Sequence, residues 1–377
     1  IHAGILFCTL HVCGTFTFYI LFQTKGLLKS HKKSTAMAVL LLLLISSCNF
    51  KPEPEPLQYS VQATLNLMQE SSQFVMYLNF KSMRRTEFWQ KNISDSLLNA
   101  EKTFGSLLNT FKVSTGASIS EGLDELYYSN SWFGENAIVL KGIFNKQTLD
   151  TLLARDSVFS ITRSREGVDI YVNNENGLYF FFKDNFTICA SNYLKQIDQM
   201  INTTDTSRTG LLLNQKMFTS IQNVVHKENL WMVTNEKMFI RGLFMNLLET
   251  TSGKRIHDSD SSSIDTASSD ENLNVSNMYK AINSLSFSAK MNNELSLLVQ
   301  GECISEKTSK YLTEILSGLL TVAKLSEKDK QDPATSQILK NIELNRYEES
   351  VFVSALIDQK NLAAFKSKKL MSEPPSF

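Results

Sequence analysis

Beyond residue 48 the chain carries only two histidines, His226 and His257. A histidine-ligated metal site or a Ser-His-Asp triad would therefore rest on His226, because His257 lies in a run of Ser and Asp. Val224-Val225-His226-Lys227 reads more simply as a helix end, where an imidazole meets the last carbonyls. The carboxylates a glycosidase would use occur as adjacent pairs, Asp124-Glu125 and Glu348-Glu349. Neighbours on a strand point to opposite faces, so neither pair can flank one bond, and both read as solvated turn charges. A Gly-rich phosphate loop, Gly-x-Ser-x-Gly and His-Glu-x-x-His are all missing from the sequence. No catalytic residue, metal ligand set or cofactor is expected.

The strongest concentration of aromatic residues comprises Tyr127, Tyr128, Trp132 and Phe133, with Tyr179 to Phe182 further on. Alternation along a strand sends half of such side chains into a core. Residues 178–182 are apolar at every position, so either helices cover both sides of that strand or one side meets a partner or ligand. Trp132, Phe133, Phe180 and Phe182 are the candidate binding surface. Past Cys48 only Cys189 and Cys303 remain; both sit in strand contexts and read as buried free thiols rather than a disulfide framework.

The amino end carries an address. Lys29, Lys32 and Lys33 precede an uncharged run over residues 36–45, followed by Ser46-Ser47-Cys48. A basic stretch, a short apolar stretch and small residues before a cleavage point make a secretory signal, and the run is shorter than the ~20 apolar residues of a spanning helix. Ile45-Ser46-Ser47-Cys48 resembles a bacterial lipobox, with Ser where Gly or Ala is usual before the cysteine. That resemblance implies that Cys48 is the lipidated first residue of the mature protein and that the protein reaches the membrane through a lipid anchor. Residues 29–47 are then the signal peptide. Residues 1–28, which begin with Ile, read as an upstream or non-native extension, with the true start near Leu27 or Leu28. Residues 48–58 include Pro52-Glu53-Pro54-Glu55-Pro56 and read as an extended, solvated tether.

Past the tether, strands and helices alternate, and they do so twice. Residues 74–80 form an expected strand leading into a helix through Phe88 and Trp89; residues 230–235 likewise lead into a helix at 237–248. Hairpin strands are expected at 126–129 and 137–142, and again at 285–288 and 296–301. Leu126 to Gly142 and Leu285 to Gly301 are the same sixteen residues apart, which suggests duplication. Helices are expected at 147–154 and 307–325. Four strands follow in the first half (159–163, 168–172, 178–182, 186–190) but only two in the second (342–347, 351–356), so the second copy lacks one hairpin.

This pattern predicts an α+β fold of two similar halves, residues 59–205 and 210–368, each a mainly antiparallel sheet with helices packed on one face. A crevice between the halves is the expected working surface. Residues 250–272 have almost no apolar side chains and are expected to form a disordered insertion.

The Ile-Ser-Ser-Cys box, the aromatic strand opening into an Arg-containing helix with Trp89, and Thr115-Gly116-Ala117-Ser118 before Gly122-Leu123-Asp124-Glu125-Leu126 carry a further likeness. With the repeated strand and hairpin, they resemble a bacterial family of secreted and lipid-anchored proteins defined as a domain of unknown function. The likeness spans about residues 60–368, looks most like a chain from the Bacteroidota, and implies an extracytoplasmic location with no catalytic residues to carry over. The 377 residues hold 38 basic and 38 acidic side chains, and zero net charge argues against a general nucleic-acid binder. The expected function is non-catalytic: a protein lipid-anchored in the cell envelope, outer membrane included, that binds an envelope protein, a polymer or an apolar ligand. The alternative is an envelope hydrolase with carboxylates assembled from distant loops.

Overall fold

The computed structural model describes residues 51–92, 122–131, 134–153, 155, 157–204, 208–252, 277–330, 333–359 and 361. The chain divides after Lys51 into two units, and the architecture that follows is that of the second, which begins at Pro52. Cys48, the signal at 29–47, residues 1–28, Trp132, Phe133 and nearly all of 250–272 lie outside the described residues.

Twelve strands form one sheet: β1 (Phe74–Asn79), β2 (Leu123–Asn130), β3 (Asn136–Gly142), β4 (Phe159–Arg163), β5 (Asp169–Asn173), β6 (Leu178–Asp184), β7 (Thr187–Ser191), β8 (Leu230–Thr234), β9 (Ile282–Met291), β10 (Leu295–Cys303), β11 (Ile342–Tyr347) and β12 (Ser350–Ile357). Their order across the sheet is β11-β12-β10-β9-β8-β1-β2-β3-β7-β6-β5-β4, and every neighbouring pair is antiparallel. Outward from the central pair, β1-β2-β3-β7-β6 on one side matches β8-β9-β10-β12-β11 on the other, and the β4–β5 hairpin has no counterpart. The expected α+β, antiparallel architecture is the one found. The two halves, however, do not form separate sheets that pack across a crevice: β1 pairs with β8, and the halves share one ladder.

The helices are α1 (Tyr59–Leu65), α2 (Phe80–Arg84), α3 (Glu87–Asn92), α4 (Lys146–Leu153), α5 (Leu194–Asn202), α6 (Gln215–Gln222), α7 (Lys237–Ser252), α8 (Glu306–Lys330) and α9 (Pro333–Lys340). Two begin on an asparagine that satisfies an otherwise orphaned amide: Asn79 accepts from the Ser82 N–H and Asn214 from the Met217 N–H. Helix α7 continues through Ser252, so the expected insertion does not begin at 250.

Helices lie on both faces of the sheet rather than one. On the front face of the first half, Val61 and Leu65 of α1, Ile197 and Met200 of α5, and Met217 and Ile221 of α6 pack on Tyr77, Tyr127, Phe181 and Trp231. On the back, Phe80, Met83, Phe88 and Trp89 of α2 and α3 pack on Leu78, Leu126, Leu140 and Phe180. Strand β6 is apolar throughout because Phe181 enters the front core and Phe180 the back one. In the second half α7 and α8 cover the back face, with Ile240, Phe244 and Leu312 over Ile282 and Val351. Its front face carries Ser284, Ser286, Ser288 and Gln300.

The shared spacing of sixteen conceals a difference in register. Leu285 lies opposite Gly301, whereas Leu126 lies opposite Leu140 and Gly142 opposite Leu123. An even shift keeps side chains on their faces, so both hairpins bury the expected residues while presenting their glycines to different neighbours.

Candidate functional site

An apolar cavity of about 450 Å³ lies between the back face of the second half and helices α7 to α9. Its floor is the sheet: Leu285 of β9, Val299 and Gly301 of β10, Val351 and Val353 of β12, and Leu344 of β11. Strand alternation puts these residues on one face, because Leu285, Gly301 and Val351 stand opposite one another, as do Val299 and Val353. The roof comes from Leu243 and Leu247 of α7 and from Leu316, Leu319 and Leu320 of α8. Helical spacing places these on one stripe of each helix.

Gly301 is the shallow point of the floor. A Cβ built there would meet only the Cδ2 of Leu312, at 3.8 Å, so the space above it is open. Leu243 and Leu247 line the cavity while remaining 47% and 41% exposed, so the cavity opens to solvent along α7. Every lining side chain is apolar. The site can desolvate and hold an apolar group and offers nothing to ionise, coordinate or attack one.

A second hollow of about 620 Å³ sits at the seam between the halves, lined by Asn79, Arg85, Glu125, Glu228 and Asn292 among others. It is the place where carboxylates from separate segments meet, and each is already engaged. Glu125 accepts hydrogen bonds from the hydroxyls of Tyr127 (2.7 Å) and Tyr77 (3.4 Å) and lies 3.9 Å from Lys141 Nζ. Burial, with Glu125 beside them, pushes both phenols above their ordinary range. Glu228 lies 3.9 Å from Lys290. Asp124 and Glu125 are strand residues rather than turn charges; Asp124 pairs with Arg84 at 2.8 Å and with Lys81 at 3.2 Å. Glu348 and Glu349 do sit in the exposed β11–β12 turn. Among the described residues no group of three His, Cys, Asp or Glu could hold a metal ion.

Of the expected binding aromatics, Phe180 is 1% exposed and stacks on Tyr171 with ring centroids 5.1 Å apart. Phe182 is half-buried against Phe144 and Tyr171. Both belong to the core rather than to a binding surface, because a strand flanked by others on each side has no free face once helices cover it. Cys189 and Cys303 are buried, free thiols, and burial pushes each up to about 12.

The carboxyl end of the tether is not solvated chain. The Glu55 N–H donates to the Val225 carbonyl at 2.9 Å, and the Glu55 carboxylate accepts from the Lys227 N–H and from Lys290 Nζ, each at 2.7 Å. Lys227 Nζ in turn donates to the carbonyls of Glu55 (2.6 Å) and Gln222 (2.9 Å) and to that of Val224. His226, 3.7 Å from Glu55, lies past the end of α6, and Lys227 is the residue that caps the carbonyls there. Alternation of Pro and Glu indicates extension, which is found; it cannot indicate a docking partner 172 residues away.

No family model matches the chain, and no curated protein matches it. Solved structures of a protein called TP0453 are similar. Its crystal form I aligns at a TM-score of 0.42 and 9% identity over 84% of this chain and 99% of that one. Crystal form IV aligns at 0.44 and 9% identity over 82% and 96%. Likeness of that degree carries nothing over to this chain.

Proposed function

We propose that this protein is a non-catalytic binding protein of a bacterial cell envelope, lipid-anchored through Cys48, whose body holds an apolar ligand between α7, α8, α9 and the sheet. The observation that carries the reading is the wholly apolar 450 Å³ cavity. The cavity opens to solvent along α7, so without a ligand it exposes to water a surface that offers no hydrogen-bonding group. An apolar ligand removes that cost. The lipobox-like Ile45-Ser46-Ser47-Cys48 supports the anchor, and two chains on one cysteine suffice for stable attachment. An envelope protein or polymer as partner, and an outer-membrane address, belong to the same proposal.

The hydrolase reading has less behind it, since Glu125 and Glu228 at the seam are occupied by phenols and lysines rather than poised over open space.

The neutral fluorescent probe N-phenylnaphthylamine should bind the parent with a blue shift. Gly301→Leu, which fills the open floor, should abolish that binding while stabilising the ligand-free protein by about 0.5–2 kcal/mol, as cavity filling does. Probe binding that survives Gly301→Leu unchanged would remove the cavity from the proposal. Cys48→Ala should move the protein from the membrane to the soluble fraction or leave it unprocessed. Processing and membrane fractionation indistinguishable from the parent's would remove the anchor.

A further inference from the structure

We infer that the ligand is a single unbranched acyl chain carrying an anionic head group, with the chain lying across the sheet over Gly301 and the head held outside by Lys324 and Lys340. The inference rests on the cavity reading above and names the chemistry of its ligand.

The floor runs through β9, β10, β12 and β11. Three inter-strand steps of ~4.8 Å make a slot about 14 Å long, which suits an extended chain laid across the strands. No lining residue can satisfy a polar atom, and burying one unpaired costs several kcal/mol, so the head of an amphiphile must stay in water. At the α8–α9 end of the slot, the lining residues Ala323 and Leu339 are each followed directly by a lysine, Lys324 and Lys340. Among the described residues neither lysine makes an ion pair, and both reach solvent. Glu343, next in the chain to the lining residue Ile342, is on the opposite face of β11, since Ile342 and Leu344 share the cavity face. The head group is accordingly assigned to this end, where the two lysines adjoin lining positions in the chain.

Three amphiphiles of identical chain separate the possibilities: tetradecanoate, its methyl ester and tetradecyltrimethylammonium, each titrated below its micelle concentration against the full chain. Tetradecanoate should bind at least tenfold more tightly than the ester, and the ammonium more weakly still. Affinity for shorter alkanoates should fall about fourfold per methylene, the ~0.8 kcal/mol of burying one CH₂. Lys324→Glu with Lys340→Glu, both at solvent-accessible positions, should remove the carboxylate preference and leave the ester unaffected. Equal affinity for all three heads, or a preference that the double variant does not move, overturns the head-group assignment while the cavity stands. Carboxylate binding untouched by both Gly301→Leu and Ala323→Phe overturns the assignment to this slot. If none of the three amphiphiles binds, the cavity reading falls with it.

Discussion

Tyr77 on β1 stands directly opposite Trp231 on β8, with ring centroids 5.6 Å apart, and this pair lies on the seam that makes one sheet of two halves. Tyr127 extends the row from β2 at 4.8 Å, and Glu125 accepts a hydrogen bond from each tyrosine hydroxyl. Trp231 is fully buried under α6. Trp231→Ala should therefore cost about 3–5 kcal/mol, as large-to-small changes in cores do, and should be read from urea midpoints. Because the ladder runs through the seam, circular dichroism and fluorescence should report one coincident transition in the parent. A parent that unfolds in two separated steps would show that the halves are not coupled as the β1–β8 pairing requires.

The docking of Glu55 gives a pH dependence with a definite sign. Burial acts to raise the Glu55 carboxyl, but Lys290, the Lys227 amide and His226 outweigh it and hold the group below its ordinary value. A carboxyl depressed in the folded state contributes stability that is present above its unfolded value and lost as pH falls through the folded one. Burial also pulls His226 below the ordinary imidazole value, so its contribution is already declining below pH 6.5. Lys290, raised by its hydrogen bond to Glu55, loses its share only as pH climbs past the ordinary lysine range. Protection of the Glu55 amide against hydrogen exchange, taken relative to the intrinsic rate at each pH, should be greatest between about pH 7 and 10 and fall on acidification. Glu55→Gln should flatten that response, and an acid response unchanged in the variant would assign it to other groups.

The two hairpin glycines should respond oppositely to the same substitution. A Cβ at Gly142 would sit 2.1 Å from the Gly122 carbonyl oxygen, which is backbone and cannot swing away, so Gly142→Ala should destabilise by about 2–3 kcal/mol. Gly301→Ala meets only Leu312 at van der Waals distance and removes a flexible residue from a strand, so thermal unfolding should show no loss and up to about 1 kcal/mol of gain.

Cys189 and Cys303 lie in different cores, one against the front helices and one under α7 and α8. With both thiols pushed up to about 12, an aromatic disulfide reagent at pH 8 should label neither until the body unfolds, and the labelling rate should track global opening under denaturant. Rapid labelling of Cys303 alone would mean that α7 and α8 open without the rest of the sheet.

The periodicity of the chain alone determined most of its strands and helices. Residues 230–235 leading into 237–248, the hairpins around Gly142 and Gly301, and the four-against-two count of later strands all reappear as β8 with α7, β2–β3, β9–β10 and β4–β7 against β11–β12. Hydrophobic alternation is local, so it survives any change in how the pieces are joined. Which strand meets which is not local: that β1 pairs with β8, fusing the halves edge to edge, depends on two segments more than 150 residues apart and leaves no trace in either one's pattern. Phe180 and Phe182 look like a surplus of apolar surface until helices from both sides cover β6. The cavity was hidden for the same reason. Leu243, Leu316 and Val353 each read as ordinary core residues, and only the separation of α7, α8 and the sheet, with a glycine at position 301 between them, leaves space that they do not fill. Packing is a property of volumes brought together in three dimensions, so the tertiary structure alone decided where this body has room for something else.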